Sequence, residues 1–370
     1  MLRRIAVIGH SLAAEENRLA FAGWPTHQVH LIVPRIWKAP GLGHIYRIRE
    51  PHPTLAGGPA LHPLAVLASG RNSLFAWIGL GPLLRRIRPD LIYCWEEPWC
   101  LATWQVGRLA RGLGVPMVFF SAENRPKTLR WPFTRLLRGA FTSSPAAIVP
   151  TPEIAARLRS WGFRGGITVI PLWIRPGKDL AAREENKQLA FVGRLIPLKR
   201  ADLVVESLAH LPEFRLRIIG DGPEGPRLRA LADALGLASR VDFRGHVENG
   251  ELDSALAGAS LLIMPTGENP RQAEQFGKAA LEAVTLGLPV LASRTGNLAA
   301  LAAGFSTIRA GDFTTPAELA EAVRAIFRAY PAADDLAASR RLAEELYGPS
   351  AVARSLEAAF SAAAANGGGT

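Results

Sequence analysis

Short apolar runs alternate with helix-length amphipathic stretches along the whole chain. In the first half the runs that read as strands are Ile5–Gly9, Val29–Val33, Leu91–Trp95, Met117–Ser121 and Ala147–Val149. In the second half they are Leu189–Val192, Leu216–Ile219, Val241–Phe243, Leu261–Met264 and Val290–Ala292. Helical periodicity marks Trp99–Arg111, Pro152–Ser160, Arg200–His210, Pro226–Leu235 and Phe276–Leu286 between them. Strands apolar on both faces, alternating with helices, predict parallel sheets covered on both sides. The series occurs twice, and a proline- and charge-rich stretch at 173–187 reads as the linker. The expected fold is therefore α/β: two Rossmann-like, doubly wound domains, 1–172 and 188–347, facing a central cleft. A C-terminal helix at 348–364 is expected to cross back to the first domain, and 365–370 reads as a disordered tail.

Composition narrows the class. Of 370 residues 48% are hydrophobic and 20% charged, which excludes disorder, collagen-like order and a disulfide scaffold. There are two cysteines, and Cys94 lies in an apolar run, so it reads as a reduced core residue in a reducing compartment. The first residues read as a strand rather than a signal peptide, and no run of 18 apolar residues is present. Net charge is +11, divided as +14 over residues 1–175 and −3 over 176–370; all nine tryptophans fall in the first part. A basic, aromatic half predicts an anionic partner such as a phosphorylated lipid, a membrane surface, an acidic glycan or nucleic acid.

The second half carries the denser chemistry. Leu189–Val192 runs into Gly193-Arg194-Leu195, and Lys199 follows just before a helix, so two cations and a helix start can converge on one anion. A second strand ends in Gly220-Asp221-Gly222-Pro223, and a third ends in Phe243-Arg244-Gly245-His246, where a free backbone edge can bond a planar base. Glu274 precedes the helix that begins at Phe276, and Glu282 lies about two turns inside it. At roughly 1.5 Å per residue the two carboxylates are about 12 Å apart. The amides of Gln275, Phe276 and Gly277 are expected to point out of the helix start, where phosphate or hydroxyl oxygens accept from them.

Taken in order, Gly193–Lys199, Gly220–Pro223, Phe243–Gly245 and the Glu-x-Phe-Gly-x4-Glu element Glu274–Glu282 resemble the donor domain of family 4 retaining glycosyltransferases, which have GT-B architecture. The resemblance is strong over about 188–300. It implies an acceptor domain at 1–172, a nucleotide-sugar donor domain at 188–347, and transfer of a sugar to an acceptor hydroxyl. The setting it implies is bacterial cell-surface glycan, exopolysaccharide or glycolipid assembly. Arg194 and Lys199 then hold the donor diphosphate and offset the charge that grows on the leaving group. Glu282 binds ribose hydroxyls, and Glu274 with the backbone of Gln275, Phe276 and Gly277 holds the donor sugar. Gly193, Gly220, Gly245 and His246 line the donor. No cofactor and no metal are expected, and the sequence has no Asp-x-Asp pair to bind one. Retention is expected by front-face substitution, with the leaving phosphate helping to deprotonate the acceptor hydroxyl.

The first half matches the family loosely. Gly9 and His10 follow the first strand, where the family places a loop near the phosphates and the acceptor. The position after Met117–Ser121, where the family often has histidine, holds Glu123 or Asn124; Glu96 and Glu97 are the other candidates. Two basic-aromatic stretches suit an anionic acceptor or membrane. One is Leu74–Leu84 with Arg85, Arg86 and Arg88, readable also as a core helix with a basic end. The other holds Arg125, Lys127, Arg130 and Trp131. The expected acceptor is a glycan, a lipid-linked glycan or a small molecule, and the expected location is the cytoplasm or the inner face of its membrane. The competing readings are a nucleotide-sugar epimerase or phosphorylase on the same scaffold and a non-catalytic binder of anionic lipid or nucleic acid. No nucleic-acid module is recognisable, so nucleic acid is not an expected partner.

Overall fold

A computed structural model describes residues 4–22, 24, 27–38, 45–48, 58–124, 127–177, 186–247, 249–268 and 274–367. The chain divides into two compact units, Met1–Trp173 with Pro349–Thr370, and Ile174–Gly348.

The first unit is built on β1 (Arg4–Ile8), β2 (Gln28–Pro34), β5 (Ala60–Leu64), β8 (Leu91–Cys94), β9 (Met117–Phe120), β10 (Ala146–Val149) and β11 (Gly166–Val169). Two short antiparallel ribbons, β3 (Ile36–Lys38) with β4 (Ile45–Arg47) and β6 (Val66–Leu67) with β7 (Ala76–Trp77), lie within the β2 to β8 connection. The sheet order is β11-β10-β9-β8-β1-β2-β5, every pairing parallel. Helices α1 (Leu80–Ile87), α2 (Leu101–Leu113), α3 (Phe133–Ser143) and α4 (Pro152–Ser160) form the crossovers. Strands β8 and β9 are buried at every position, as parallel strands sandwiched between helices must be.

Helix α12 (Pro349–Gly367) completes this unit, contributing Val352, Leu356 and Phe360 to the same core as Ile5, Leu31 and Tyr93. Their spacing of four places them on one helix face. Five of the nine tryptophans (Trp24, Trp37, Trp77, Trp95 and Trp173) are also in this core, with Trp95 and Trp173 rings 4.9 Å apart.

The second unit carries β12 (Gln188–Val192), α5 (Ala201–Ser207), β13 (Arg215–Ile219), α6 (Gly225–Ala234), β14 (Val241–Gly245), α7 (Leu252–Leu256), β15 (Leu261–Met264), α8 (Lys278–Thr285), β16 (Val290–Ser293), α9 (Asn297–Gly304), β17 (Ile308–Gly311), α10 (Pro316–Arg328) and α11 (Ala333–Tyr347). Its parallel sheet runs β14-β13-β12-β15-β16-β17, the order of a doubly wound dinucleotide-binding sheet. The order reverses between β12 and β15 here, and between β1 and β8 in the first unit. Crevices beyond the carboxyl ends of such strand pairs are where these sheets bind ligands.

Four sequence expectations need correction. Residues 173–177 are not linker: Trp173 is in the first core, while Ile174 donates to Tyr347 O at 2.9 Å and Gly177 O accepts from Arg340, which seats them in the second unit. Residues 365–367 are helical, continuing the alanine-rich end of α12, rather than part of a disordered tail. The Leu74–Leu84 stretch is not a single core helix; Phe75 and Trp77 are core, and helix begins only at Leu80. Finally, α8 starts at Lys278 because Gly277 is left-handed (φ 83°), so Glu282 lies one turn inside it, not two.

Candidate functional site

Each switch point carries a pair of ionisable side chains in hydrogen-bond contact. In the second unit, β12 ends at Val192, and the turn that opens with Gly193 is fixed by its neighbours. Gly193 N–H donates to Ile219 O at 3.0 Å, Gly220 N–H to Gly245 O at 2.8 Å, and Leu195 N–H to Asp221 O at 2.9 Å. A Cβ on Gly220 would lie 1.9 Å from Gly193 O, and one on Gly222 would lie 2.4 Å from Leu195 O. The Gly-Asp-Gly-Pro turn is therefore glycine because the β12 turn packs directly on it.

Held this way, the chain passes through a single 3-10 turn, Pro197–Lys199, and Lys199 Nζ meets Glu274 Oε2 at 2.5 Å. The other Glu274 oxygen accepts from Gly277 N–H at 3.2 Å. The Glu274 carbonyl accepts from Asn297 N–H at 3.2 Å, and a Cβ on Gly296 would meet that carbonyl at 2.3 Å. Glu274 is thus held from three sides at the start of α8. One turn on, Glu282 pairs with Lys278 at 3.5 Å, a cation that sequence reasoning passed over although its i, i+4 spacing marks it.

Of the expected donor residues, Arg194, Gln275 and His246 are exposed, whereas Phe276 is buried, edge-on to Tyr347. Arg194 forms no ion pair among the described residues. The amide of Gly277 points to Glu274 rather than outward. Gly245 has φ 72° and open space where a Cβ would stand, so its surroundings stay accessible.

In the first unit the switch point holds His10 and Glu96, from the ends of β1 and β8. Glu96 is buried, accepts from the His10 backbone N–H at 2.6 Å, and lies 2.7 Å and 2.8 Å through its two oxygens from His10 Nδ1. Trp37 lies over the imidazole at 4.6 Å between centroids and Phe75 meets it edge-on at 5.7 Å. Burial lowers the imidazole's pKa, but the charge of Glu96 and its hydrogen bond outweigh that, so the ring is held above its ordinary 6.5. Gly9 is required here, because a Cβ would stand 2.9 Å from Trp95 O.

Glu97 turns the other way. Its oxygens accept from Ser121 Oγ at 2.7 Å and Ala122 N–H at 2.8 Å. Burial pushes its carboxyl up to about 7, against the pull of those two hydrogen bonds. The bonds clamp the segment after β9, in which Asn124 is buried and Glu123 pairs with Lys127 at 2.8 Å. Glu123 is therefore engaged with a surface lysine.

The basic-aromatic residues separate by exposure. Arg85 and Arg86 lie on the exposed face of α1, whose other face buries Leu80, Leu83, Leu84 and Ile87. Lys127 stands over the Trp99 ring at 4.5 Å; Arg130 is exposed, and Trp131 is 79% exposed. Arg125 lies outside the described residues. No helix among the described residues is long and apolar enough to cross a membrane, and none of their acidic, histidine or cysteine groups cluster as three metal ligands.

Comparison with known proteins covers both units. The family model described as Glycosyltransferase Family 4 matches residues 19–178, and that described as Glycosyl transferases group 1 matches 177–342. D-inositol 3-phosphate glycosyltransferase of Mycobacterium marinum is 38% identical over 125 residues, 32% of this chain and 26% of that protein, so the match spans about a quarter of the relative's length. Among solved structures, HepE of Anabaena in complex with UDP superposes with TM-score 0.68 at 16% identity, covering 98% of this chain and 100% of its own. A glycosyltransferase from Rickettsia africae gives 0.72 at 12% identity, with 98% of each chain covered.

Proposed function

Since the chain belongs to the family 4 glycosyltransferases of GT-B architecture, we propose that it transfers a sugar from a nucleotide-diphosphate sugar to an acceptor hydroxyl. The observation that carries this reading is the Lys199–Glu274 pair, fixed by backbone bonds at the switch point of a dinucleotide-type sheet. A cation there neutralises a diphosphate, and a carboxylate beside it accepts from sugar hydroxyls. Arg194, exposed at the same turn, supplies the second positive charge to the departing phosphate. Glu282, one turn inside α8, takes the ribose hydroxyls. Gly193, Gly245 and His246 border the base and phosphates.

A uridine nucleotide is the favoured donor class, supported by the UDP bound to HepE. Transfer proceeds with retention of configuration and without a metal in this reading, the cations Arg194 and Lys199 carrying the leaving-group charge. Turnover unchanged in EDTA, and a product anomer matching the donor's, are the expected results. The acceptor is a glycan, a lipid-linked glycan or a small molecule of cell-surface assembly, met in the cytoplasm or at the inner face of its membrane. Lys127, Arg130 and Trp131 are the groups that would meet an anionic bilayer.

Thermal unfolding in the presence of UDP-glucose, UDP-galactose, UDP-N-acetylglucosamine and GDP-mannose tests the assignment. Protection by at least one of them, lost in Lys199→Ala, is expected. Absence of protection by all four defeats it.

A further inference from the structure

Each of the two carboxylates assigned to the donor has a lysine against it. Lys199 meets Glu274 at 2.5 Å, and Lys278 meets Glu282 at 3.5 Å. Glu274 also accepts from the amide of Gly277, the residue before Lys278, so both pairs belong to the start of α8. The Glu282 side chain keeps 15% exposure, close to the 14% of Glu274. Among the described residues, the acidic partners of the other one-turn pairs in this unit, Glu224, Glu321 and Glu344, are all more exposed.

The Lys278–Glu282 pair does little for the helix that carries it. Lysine at i with glutamate at i+4 is the weaker orientation of such a pair. Lys278 is also the first residue of α8, where the helix dipole opposes a cation, and the first turn has no acidic residue to offset it. At 3.5 Å the contact is longer than a charge-assisted hydrogen bond, and the Lys278 side chain keeps 37% exposure. Its ammonium is free to turn from Glu282 to an anion, and an anion beside it removes the cost of a cation at that end of the helix.

We propose that Lys278 holds the donor's α-phosphate, the one bonded to the ribose, and leaves Lys199 and Arg194 to the β-phosphate, the one that departs from the sugar. The assignment rests on the nucleotide-sugar reading above and involves the second unit alone. Sugar and ribose are the two ends of a nucleotide sugar, with the phosphates between them. Each lysine is matched to the phosphate next to its own carboxylate: Lys278 stands by Glu282, the ribose ligand, and Lys199 by Glu274, the sugar ligand. Ribose hydroxyls take the place of the ammonium on Glu282 as the lysine turns to the phosphate. The charge that grows on the β-phosphate then falls to Lys199 and Arg194. Loss of Lys278 therefore weakens donor binding more than it slows the bound complex.

UMP carries only the ribose-linked phosphate, so calorimetric titration with UDP and displacement of that UDP by UMP test the division. GDP and GMP replace them if GDP-mannose is the donor that protects. Lys278→Ala is expected to weaken UMP and UDP alike, by about tenfold, the loss of one charge-assisted contact. Lys278→Arg keeps the charge and is expected to stay within about threefold of the parent for both. Lys199→Ala is expected to weaken UDP while leaving UMP within about twofold. Repeating Lys278→Ala in a Glu282→Gln background separates contact with the phosphate from mere screening of Glu282, and the same factor is expected in both backgrounds. UMP affinity unchanged in Lys278→Ala overturns the proposal. So does a loss confined to UDP, a loss that vanishes in the Glu282→Gln background, an equal loss of UMP in Lys199→Ala, or UMP that fails to displace UDP from the parent. A parent that binds no nucleoside diphosphate removes the nucleotide-sugar reading itself, a result distinct from any behaviour of the variants.

Discussion

Lys199 Nζ and Glu274 Oε2 meet at 2.5 Å although 75 residues separate them in the chain. The two side chains expected to take diphosphate and sugar thus neutralise one another before any ligand arrives. A donor must insert into an existing ion pair, and each partner sets the charge the other presents. Lys199→Ala is expected to weaken binding of UDP by about ten- to a hundredfold, the loss of one charge-assisted bond. Glu274→Gln is expected to leave UDP affinity equal or higher, since the lysine is released, while turnover falls. Calorimetric titration with UDP checks both, and a weaker Glu274→Gln complex would contradict the arrangement.

Glu97 gives a pH signature in stability. Its folded-state carboxyl, pushed up to about 7 from an ordinary 4.5, binds a proton more readily than the unfolded chain does. Its contribution is therefore fully present below about pH 4.5 and is lost as pH rises through about 7, at no more than ~1.4 kcal/mol per pH unit. Urea midpoints of the parent and Glu97→Gln, compared from pH 5 to pH 8, are expected to shift in the variant's favour as pH rises. Parallel curves across that range would refute this.

Gly220 and Gly245 are both left-handed, yet their surroundings differ. A Cβ at Gly220 would strike Gly193 O, whereas at Gly245 it would meet nothing within 4 Å. Gly245→Ala is expected to cost only the conformational penalty, about 1–2 kcal/mol. Gly220→Ala adds a backbone collision and is expected to cost upwards of ~3 kcal/mol. Chemical denaturation of the two variants measures the gap.

The exposed Trp131, with Arg130 and Lys127 nearby in the chain, tests the membrane part of the proposal. No acidic residue occurs between Glu123 and Glu153. Flotation with vesicles containing phosphatidylglycerol is expected to capture the parent in low salt, and much less of a Lys127→Ala/Arg130→Ala/Trp131→Ala variant, at about 1 kcal/mol per basic residue. Equal capture of both would discard this surface.

The interior strands of both sheets were legible from their largely apolar runs. The edge strand β11 was not, because Gly166–Val169 is largely exposed and short. Nor was β5, whose Ala60–Leu64 includes His62 and Pro63. Glycine-rich turns announced the donor-side loops, but spacing alone suggested a helix from Phe276, and only the left-handed Gly277 explains the later start. Both ionisable pairs stayed hidden for a topological reason. His10 and Glu96 are 86 residues apart, and a parallel crossover brings strand ends together without leaving a local pattern. Glu97 was visible as a candidate, but its bonds to Ser121 and Ala122 depend on β8 and β9 being neighbours.

The return of α12 to the first unit means that the second unit is an insertion, entered after Trp173 and left before Pro349. A stop codon just past Gly348 would spare every residue of the inserted unit and yet unroof the one made first. Val352, Leu356 and Phe360 would be missing from a core otherwise assembled before residue 174. The unit whose strands lie before residue 174 must therefore wait for α12, made after the whole inserted unit, before its core is complete.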